Sequence, residues 1–315
     1  MTSGSDGAAQ PAQKTQLDLF AVALLTVMCI CLAIGQVAIK VANTGISPLL
    51  QAGLRSLAAA VCLGLIAHLR GVVLFARDGI FWPALLTSLF FTAEFAFLYP
   101  GLARTTAAHS VILLYTAPFV VAAGAHVLIP GDRLSRAKIA GLVLALTGVA
   151  IVVLSRDAEL PGARTATLEG DLLCLAGAFA WGFLTLTIRA TRLTKVAPER
   201  VTFIMLAVSG VLLLVLSALV GEVGFSAPTP MVWAAFGFTV LFVAVFVFTT
   251  TAWLFTRYQA SRVMAFLLLT PIFGVVAGHV LLAEPIGSNL LGGLALVVAG
   301  LWLVNRPAQR PEANP

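Results

Sequence analysis

Apolar positions along this chain run in long unbroken windows rather than in the alternation of a strand or the one-sided stripe of a surface helix. Windows of roughly 17 to 25 apolar residues are what a membrane-crossing helix needs. Ten of them lie at about 18–42, 48–69, 80–101, 106–129, 136–155, 170–190, 200–221, 231–256, 260–282 and 286–304. The polar interruptions are short and carry turn or helix-start residues, as in "NTGISP", "IPGDRLS", "KVAPER", "APTP" and "AEPIGS". The pattern predicts an all-α bundle of ten transmembrane helices, with polar tails at 1–17 and 305–315 that are expected to be disordered. The first apolar window has no basic stretch directly before it and no small-residue cleavage site after it, so it is expected to be retained as a helix.

Composition agrees with the pattern. The 315 residues are 60% hydrophobic and 10% charged, and the mean hydropathy is +1.03, values that place the chain in a lipid bilayer rather than in water. Cys29, Cys31, Cys62 and Cys174 fall within apolar windows and are expected to be free thiols; their spacing suggests neither a disulfide framework nor a metal site, and no cofactor is expected.

The chain repeats itself. Shifted by 153 residues, "ARTTAAHSVILLYTAPFVVAAGAHVL" from Ala103 falls on "TRYQASRVMAFLLLTPIFGVVAGHVL" from Thr256, matching Arg104 to Arg257, Ala107 to Ala260, Pro118 to Pro271 and His126 to His279. At a shift of 152, Asp132 meets Glu284, Gly141 meets Gly293 and Gly148 meets Gly300. The unit is thus five helices long, 18–155 and 170–304 joined by a linker at 156–169. An odd number of crossings forces the second copy to enter the membrane upside down. Inverted repeats around a midplane site are the architecture of secondary transporters.

The net charge of +6 does not point to nucleic acid, because its placement follows the membrane. With the N-terminus in the cytoplasm, the inner side holds Lys14, Arg70, Arg77, Arg133, Arg136, Lys138, Arg189, Arg192, Lys195, Arg200, Arg257, Arg262, Arg306 and Arg310, fourteen of the nineteen cations. Lys40, Arg55, Arg104, Arg156 and Arg164 remain outside. The positive-inside rule then puts both termini in the cytoplasm.

The doubled five-helix unit, the paired Pro118 and Pro271, "FAWGFLTLTIRA" in the sixth window and the closing "LLAEPIGSNLLGGLALVVAGLWLV" resemble the drug/metabolite transporter superfamily, of the ten-helix EamA type. Within it the chain looks most like bacterial exporters of aromatic and other neutral amino acids. The resemblance implies alternating access between the two halves, a multi-pass protein of the bacterial cytoplasmic membrane, and a small-molecule substrate such as an amino acid. Proton-coupled export of drugs or organic cations is the alternative within the class. A receptor or scaffold is the alternative outside it, although neither requires inverted halves. No catalytic constellation suggests an enzyme.

The candidate chemistry lies in the outer half of the bundle. Glu94 sits in "FTAEFAFLYPG", and at 1.5 Å rise per residue it and Arg55 both lie roughly 10 Å below the outer surface. Lys40 and His109 are shallower. Charges facing lipid cost roughly 2.5 to 3.5 kcal/mol, so these side chains are expected to point inward. Glu94 and Arg55 form either a helix-locking ion pair or the polar wall of a translocation cavity, with Glu94 as a substrate or proton site. Gln36, one turn from Lys40, is a further lining candidate. Tyr99, Tyr115, Trp181 and Trp253 offer rings for stacking or cation–π contact, or serve as packing. Pro118 and Pro271 break the hydrogen-bond ladder within their helices, freeing carbonyls that line a cavity or are covered by neighbours. His126 and His279 suit hydrogen-bonded core positions.

Overall fold

The computed structural model describes residues 17–76, 79–129, 134–154 and 166–305, with the side chains of 260 and 261 outside that set. Several expectations therefore lie outside the described residues: the two tails, most of the 156–169 linker, Asp132 of the repeat, and Lys14, Arg77, Arg133, Arg156, Arg164, Arg306 and Arg310 of the charge distribution.

Ten membrane-length helices follow in order. They are α1 Leu19–Ala42, α2 Pro48–Leu69, α3 Phe81–Arg104, α4 in two pieces (Ala107–Leu114 and Ala117–Leu128), and α5 Arg136–Leu154. After them come α6 Leu168–Ala190, α7 Pro198–Val220, α8 Pro230–Arg257, α9 in two pieces (Ala260–Leu267 and Thr270–Leu282), and α10 Ser288–Asn305. Among the described residues the only other pairing is an isolated antiparallel bridge between Ile46 and Phe225.

The ends form where capping chemistry stands in the sequence. Asp18, Thr106, Thr167 and Thr229 each accept a backbone N–H from the helix they open. Pro48, Pro198 and Pro230 occupy first turns, where no N–H is needed. Gly221 ends α7 in the left-handed conformation at φ +72°. Pro118 and Pro271 each open the second piece of a broken helix. At the second break the carbonyl that Pro271 frees, Leu267 O, is covered by Thr270 Oγ1 at 2.7 Å, and at the first Thr116 Oγ1 donates to Leu113 O at 2.6 Å.

The two inverted halves are related by a two-fold axis, which the glycines make visible. A Cβ on Gly53 of α2 would meet Leu214 of α7 and one on Gly64 of α2 would meet Phe203 of α7, so these two helices run antiparallel. Likewise α5 and α10 touch backbone to backbone, Gly141 against Gly300 and Gly148 against Gly293, so close that a Cβ on Gly148 would lie 2.6 Å from Gly293 O. At the shift of 152 the α5–α10 contact appears twice with the partners exchanged, as a two-fold axis requires.

The α2–α7 pair is strapped at both ends. At one end, Glu222 accepts from Leu49 N at 3.0 Å, Leu50 N at 2.9 Å and Ser217 Oγ at 2.7 Å, capping α2. At the other, Arg200 donates to Leu74 O at 3.0 Å and Ala76 O at 2.9 Å. The first is called the Glu284 end below, after the loop that shares it, and the second the Arg200 end.

Symmetry fails in two places. α3 packs closely along α6, from Gly101 against Cys174 to Gly177 against Glu94 O, whereas its counterpart α8 is interrupted by a π-helical stretch, Thr239–Phe246. The first piece of α4 also packs on the second piece of α9 at the Glu284 end, while at the Arg200 end Ala117–Leu128 and Ala260–Leu267 stand apart.

Candidate functional site

Phe91, Phe95 and Tyr99 recur every fourth residue on α3 and make a continuous ring stripe, with centroids 4.6 and 5.5 Å apart. Arg55, 3% exposed, reaches this stripe from α2, and its Cζ stands 4.9 Å over the Phe95 ring. Its Nε donates to Thr239 O at 3.3 Å. Thr239 opens the π-helical stretch, where hydrogen bonds skip an extra residue and leave a carbonyl free for a side chain.

Glu94, 7% exposed, lies close enough to Arg55 for the charges to interact. Among the described residues, however, no ion pair within 4.0 Å joins them, and Glu94 has no hydrogen-bond partner. In the Glu284 half of the bundle, further buried polar atoms lack protein partners: Arg55 Nη1, the Tyr99 hydroxyl, both amide atoms of Gln51, Ser56 Oγ and Asn43 Oδ1. Gln51 is one helical turn from Arg55 on the same face of α2. Buried groups left unpaired cost roughly 1 to 3 kcal/mol each, more for charges. Arg55 Nη1 and the Tyr99 hydroxyl thus remain unpaired beside a buried carboxylate.

The shallower candidates belong to a second, saturated cluster. Lys40 Nζ donates to Thr105 O and stands 3.5 Å from Glu284 Oε1. His109 Nδ1 lies 3.1 Å from Asp171 Oδ2, and the same carboxylate accepts from Thr105 Oγ1. Gln36 Oε1 accepts from Ser110 Oγ at 3.4 Å, tying α1 to α4 just below.

The remaining rings are separate. Tyr115 and Trp181 meet edge to face at 5.9 Å beside the α4 break. Trp253 lies near the C-terminal end of α8, under Arg257 at 4.8 Å and edge-on to Phe20 of α1, at the opposite end of the bundle from Glu284. His279 Nδ1 donates to Glu284 O at 2.8 Å, and His126 Nδ1 accepts from Leu134 N at 3.4 Å. The four cysteines are free thiols. An apolar groove of about 600 Å³ near Phe75, Ile80 and Ile204 contains one cation, Arg200, already committed to backbone carbonyls.

Gln51, Ser56, Asn43, Asp171 and the side-chain role of Glu284 escaped the sequence reading. A polar residue one turn from Arg55 was the available signal for Gln51. Glu284 stood out only as a repeat and loop marker.

Comparison with known proteins matches this architecture. The model of the EamA-like transporter family fits residues 19–154 and again 168–306, one copy per half. An uncharacterized transporter of Bacillus subtilis (strain 168), YvbV, is 30% identical over 274 residues, 84% of this chain and 85% of its own length. A probable amino-acid metabolite efflux pump of Salmonella typhimurium is 30% identical over 220 residues, 67% of this chain and 71% of that protein. A solved crystal structure shares the fold with a TM-score of 0.60, at 21% identity and over 91% of this chain and 96% of its own. With ten membrane-length helices, reciprocal contacts between inverted halves and the family matched once in each half, this chain belongs to the EamA-like transporter family, within the drug/metabolite transporter superfamily.

Proposed function

We propose that the protein exports neutral amino acids, aromatic ones foremost, across the bacterial cytoplasmic membrane by alternating access. Both termini lie in the cytoplasm in this reading, so the Glu284 end faces outward, as the cation distribution supports. The observation that carries the substrate class is the pair Arg55 and Glu94, both buried and within electrostatic reach but not bonded to each other. A zwitterion brings a carboxylate for Arg55 Nη1 and the Tyr99 hydroxyl, and an ammonium for Glu94. The ring stripe of Phe91, Phe95 and Tyr99 gives an aromatic side chain apolar faces on which to pack. The name of the Salmonella relative agrees with this class. An organic cation would use Glu94 and leave Arg55 buried and unmatched, which disfavours that substrate.

The test is counterflow in proteoliposomes. Vesicles loaded with unlabelled phenylalanine should accumulate external labelled phenylalanine in a saturable way without ATP, and neutral amino acids should compete while their amides and decarboxylated amines do not. Saturable flux of cationic dyes with no flux of amino acids would overturn the proposal.

A further inference from the structure

Glu284 makes a contact that the substrate reading does not use. α9 ends at Leu282, and Ala283 takes the left-handed conformation at φ +53°, which is strained for a residue with a Cβ. That turn brings the Glu284 side chain beneath the start of α4. Its Oε1 accepts from Ala107 N at 2.7 Å and its Oε2 from Ala108 N at 3.0 Å. These are first-turn N–H groups that α4 cannot satisfy itself, and the positive end of the helix dipole favours a carboxylate there. Lys40 adds its charge from α1, and His279 Nδ1 holds the Glu284 carbonyl. Gly278 leaves the space this requires, since a Cβ there would lie 2.5 Å from Glu284 Oε2.

The contact therefore joins α1 and α4 of the first half to the α9–α10 loop of the second. On the same α4 start, Thr105 and His109 engage Asp171 from the first turn of α6. Below the carboxylate, α4 and α9 are in direct apposition, with Gly274 facing Val111. At the other end the same two helices stand apart. A cleft of about 570 Å³, lined by Lys40, Asn43, Thr105 and Glu169 among others, opens onto the Lys40 side of the contact.

We propose that this contact is the gate at the Glu284 end: the Glu284 carboxylate latches the start of α4, Lys40 holds the latch, and the contact breaks once in each transport cycle to open the path. Glu222 makes the comparable contact on α2, yet it sits on a pair strapped at both ends and serves as a fixed joint. The inference rests on the transport reading for its role in the cycle, although the gate itself can be read without transport.

Two measurements test it in the full chain, with Cys29, Cys31, Cys62 and Cys174 replaced. In the first, Ser110→Cys, buried one turn below the latch, is exposed to a membrane-impermeant maleimide from the Glu284 side. Glu284→Gln should raise the labelling rate about tenfold by shifting the population toward the open gate. Lys40→Met should raise it less, and Glu222→Gln not at all. Labelling unchanged in both Glu284→Gln and Lys40→Met would overturn the latch.

The second covers the case in which Glu284→Gln does not fold. A Cβ on Gly274 would lie 3.0 Å from Val111 Cβ, near disulfide reach, so Gly274→Cys with Val111→Cys should cross-link on oxidation. The cross-linked protein should lose at least about 20-fold in counterflow and recover on reduction, as a locked gate must. Full counterflow in the cross-linked protein would overturn the gate. If the unlinked protein moves no amino acid, the transport reading fails, while the maleimide rates still decide whether the latch exists.

Discussion

Glu94 and Glu284 are both buried carboxylates in the Glu284 half of the bundle, 7% and 5% exposed, and they are treated in opposite ways. Glu284 is saturated by two backbone N–H groups and a lysine, whereas Glu94 has a cation within electrostatic reach and no bond to it. Saturation marks a carboxylate that holds elements together. An unspent carboxylate near a guanidinium whose Nη1 is unpaired destabilises the empty protein, a cost that the proposed substrate would recover by supplying the missing partners. The number of partners, rather than the degree of burial, separates a joint from a binding group.

The sharpest way to break this comparison is Glu94→Gln. No hydrogen bond or ion pair is lost in the empty protein, so folded abundance should be unchanged. Counterflow should fall about 100-fold, the worth of a charge-assisted hydrogen bond to substrate of roughly 2 to 3 kcal/mol. A drop in abundance with normal activity in the surviving protein would make Glu94 a fixed joint like Glu222.

Arg55→Met should follow, with counterflow down about 30-fold and some loss of stability, about 1 to 2 kcal/mol, from the lost ring contact and the bond to Thr239 O. Combining it with Glu94→Gln should restore nothing. Recovery in the double variant would show that the two charges exist for each other. Labelled phenylalanine counterflow and a thermal unfolding midpoint in detergent measure both quantities.

Glu222→Ala should cost about 1 to 2 kcal/mol of stability, as expected for a lost helix cap, and leave the substrate dependence of counterflow unchanged. A changed substrate dependence would mean that saturated carboxylates also act on substrate. The smallest effect is expected for Tyr99→Phe. The hydroxyl has no protein partner, so stability should change by less than about 1 kcal/mol, while counterflow falls about threefold to fivefold from one neutral hydrogen bond.

Much of this was legible in sequence because it depends on local or repeated pattern. The helices follow from window length and capping residues, and the two-fold axis from matches such as Gly141 to Gly293 and Pro118 to Pro271. Counting rise per residue brought Glu94 and Arg55 to one depth. That count could not say whether they bond, because the answer depends on rotation about each helix and on a competing acceptor, Thr239 O, released by a π-helical stretch with no punctuating residue. The capture of Glu284 by Ala107 and Ala108 was equally hidden, since it joins groups 177 and 176 residues apart through backbone N–H groups that every sequence has. Lys40 and His109 were placed at the correct end, but their partners come from α9–α10 and α6, elements whose approach only the folded bundle determines. Trp253 shows the converse: its ring was visible, its distance from Glu94 was not.

The glycine contacts have a further consequence for how such a chain can arise. Because Gly141 meets Gly300 where Gly148 meets Gly293, the surface each half offers along this seam is the surface it receives. A five-helix protein carrying that surface, inserted in the bilayer in both orientations, would be complementary to an upside-down copy of itself and would pair without any second gene. Joining two copies end to end then fixes their orientation and their one-to-one ratio. It also frees the positions away from the axis to diverge, so that Glu94 stands in one half while Val247 occupies the place that the shift of 153 matches to it in the other.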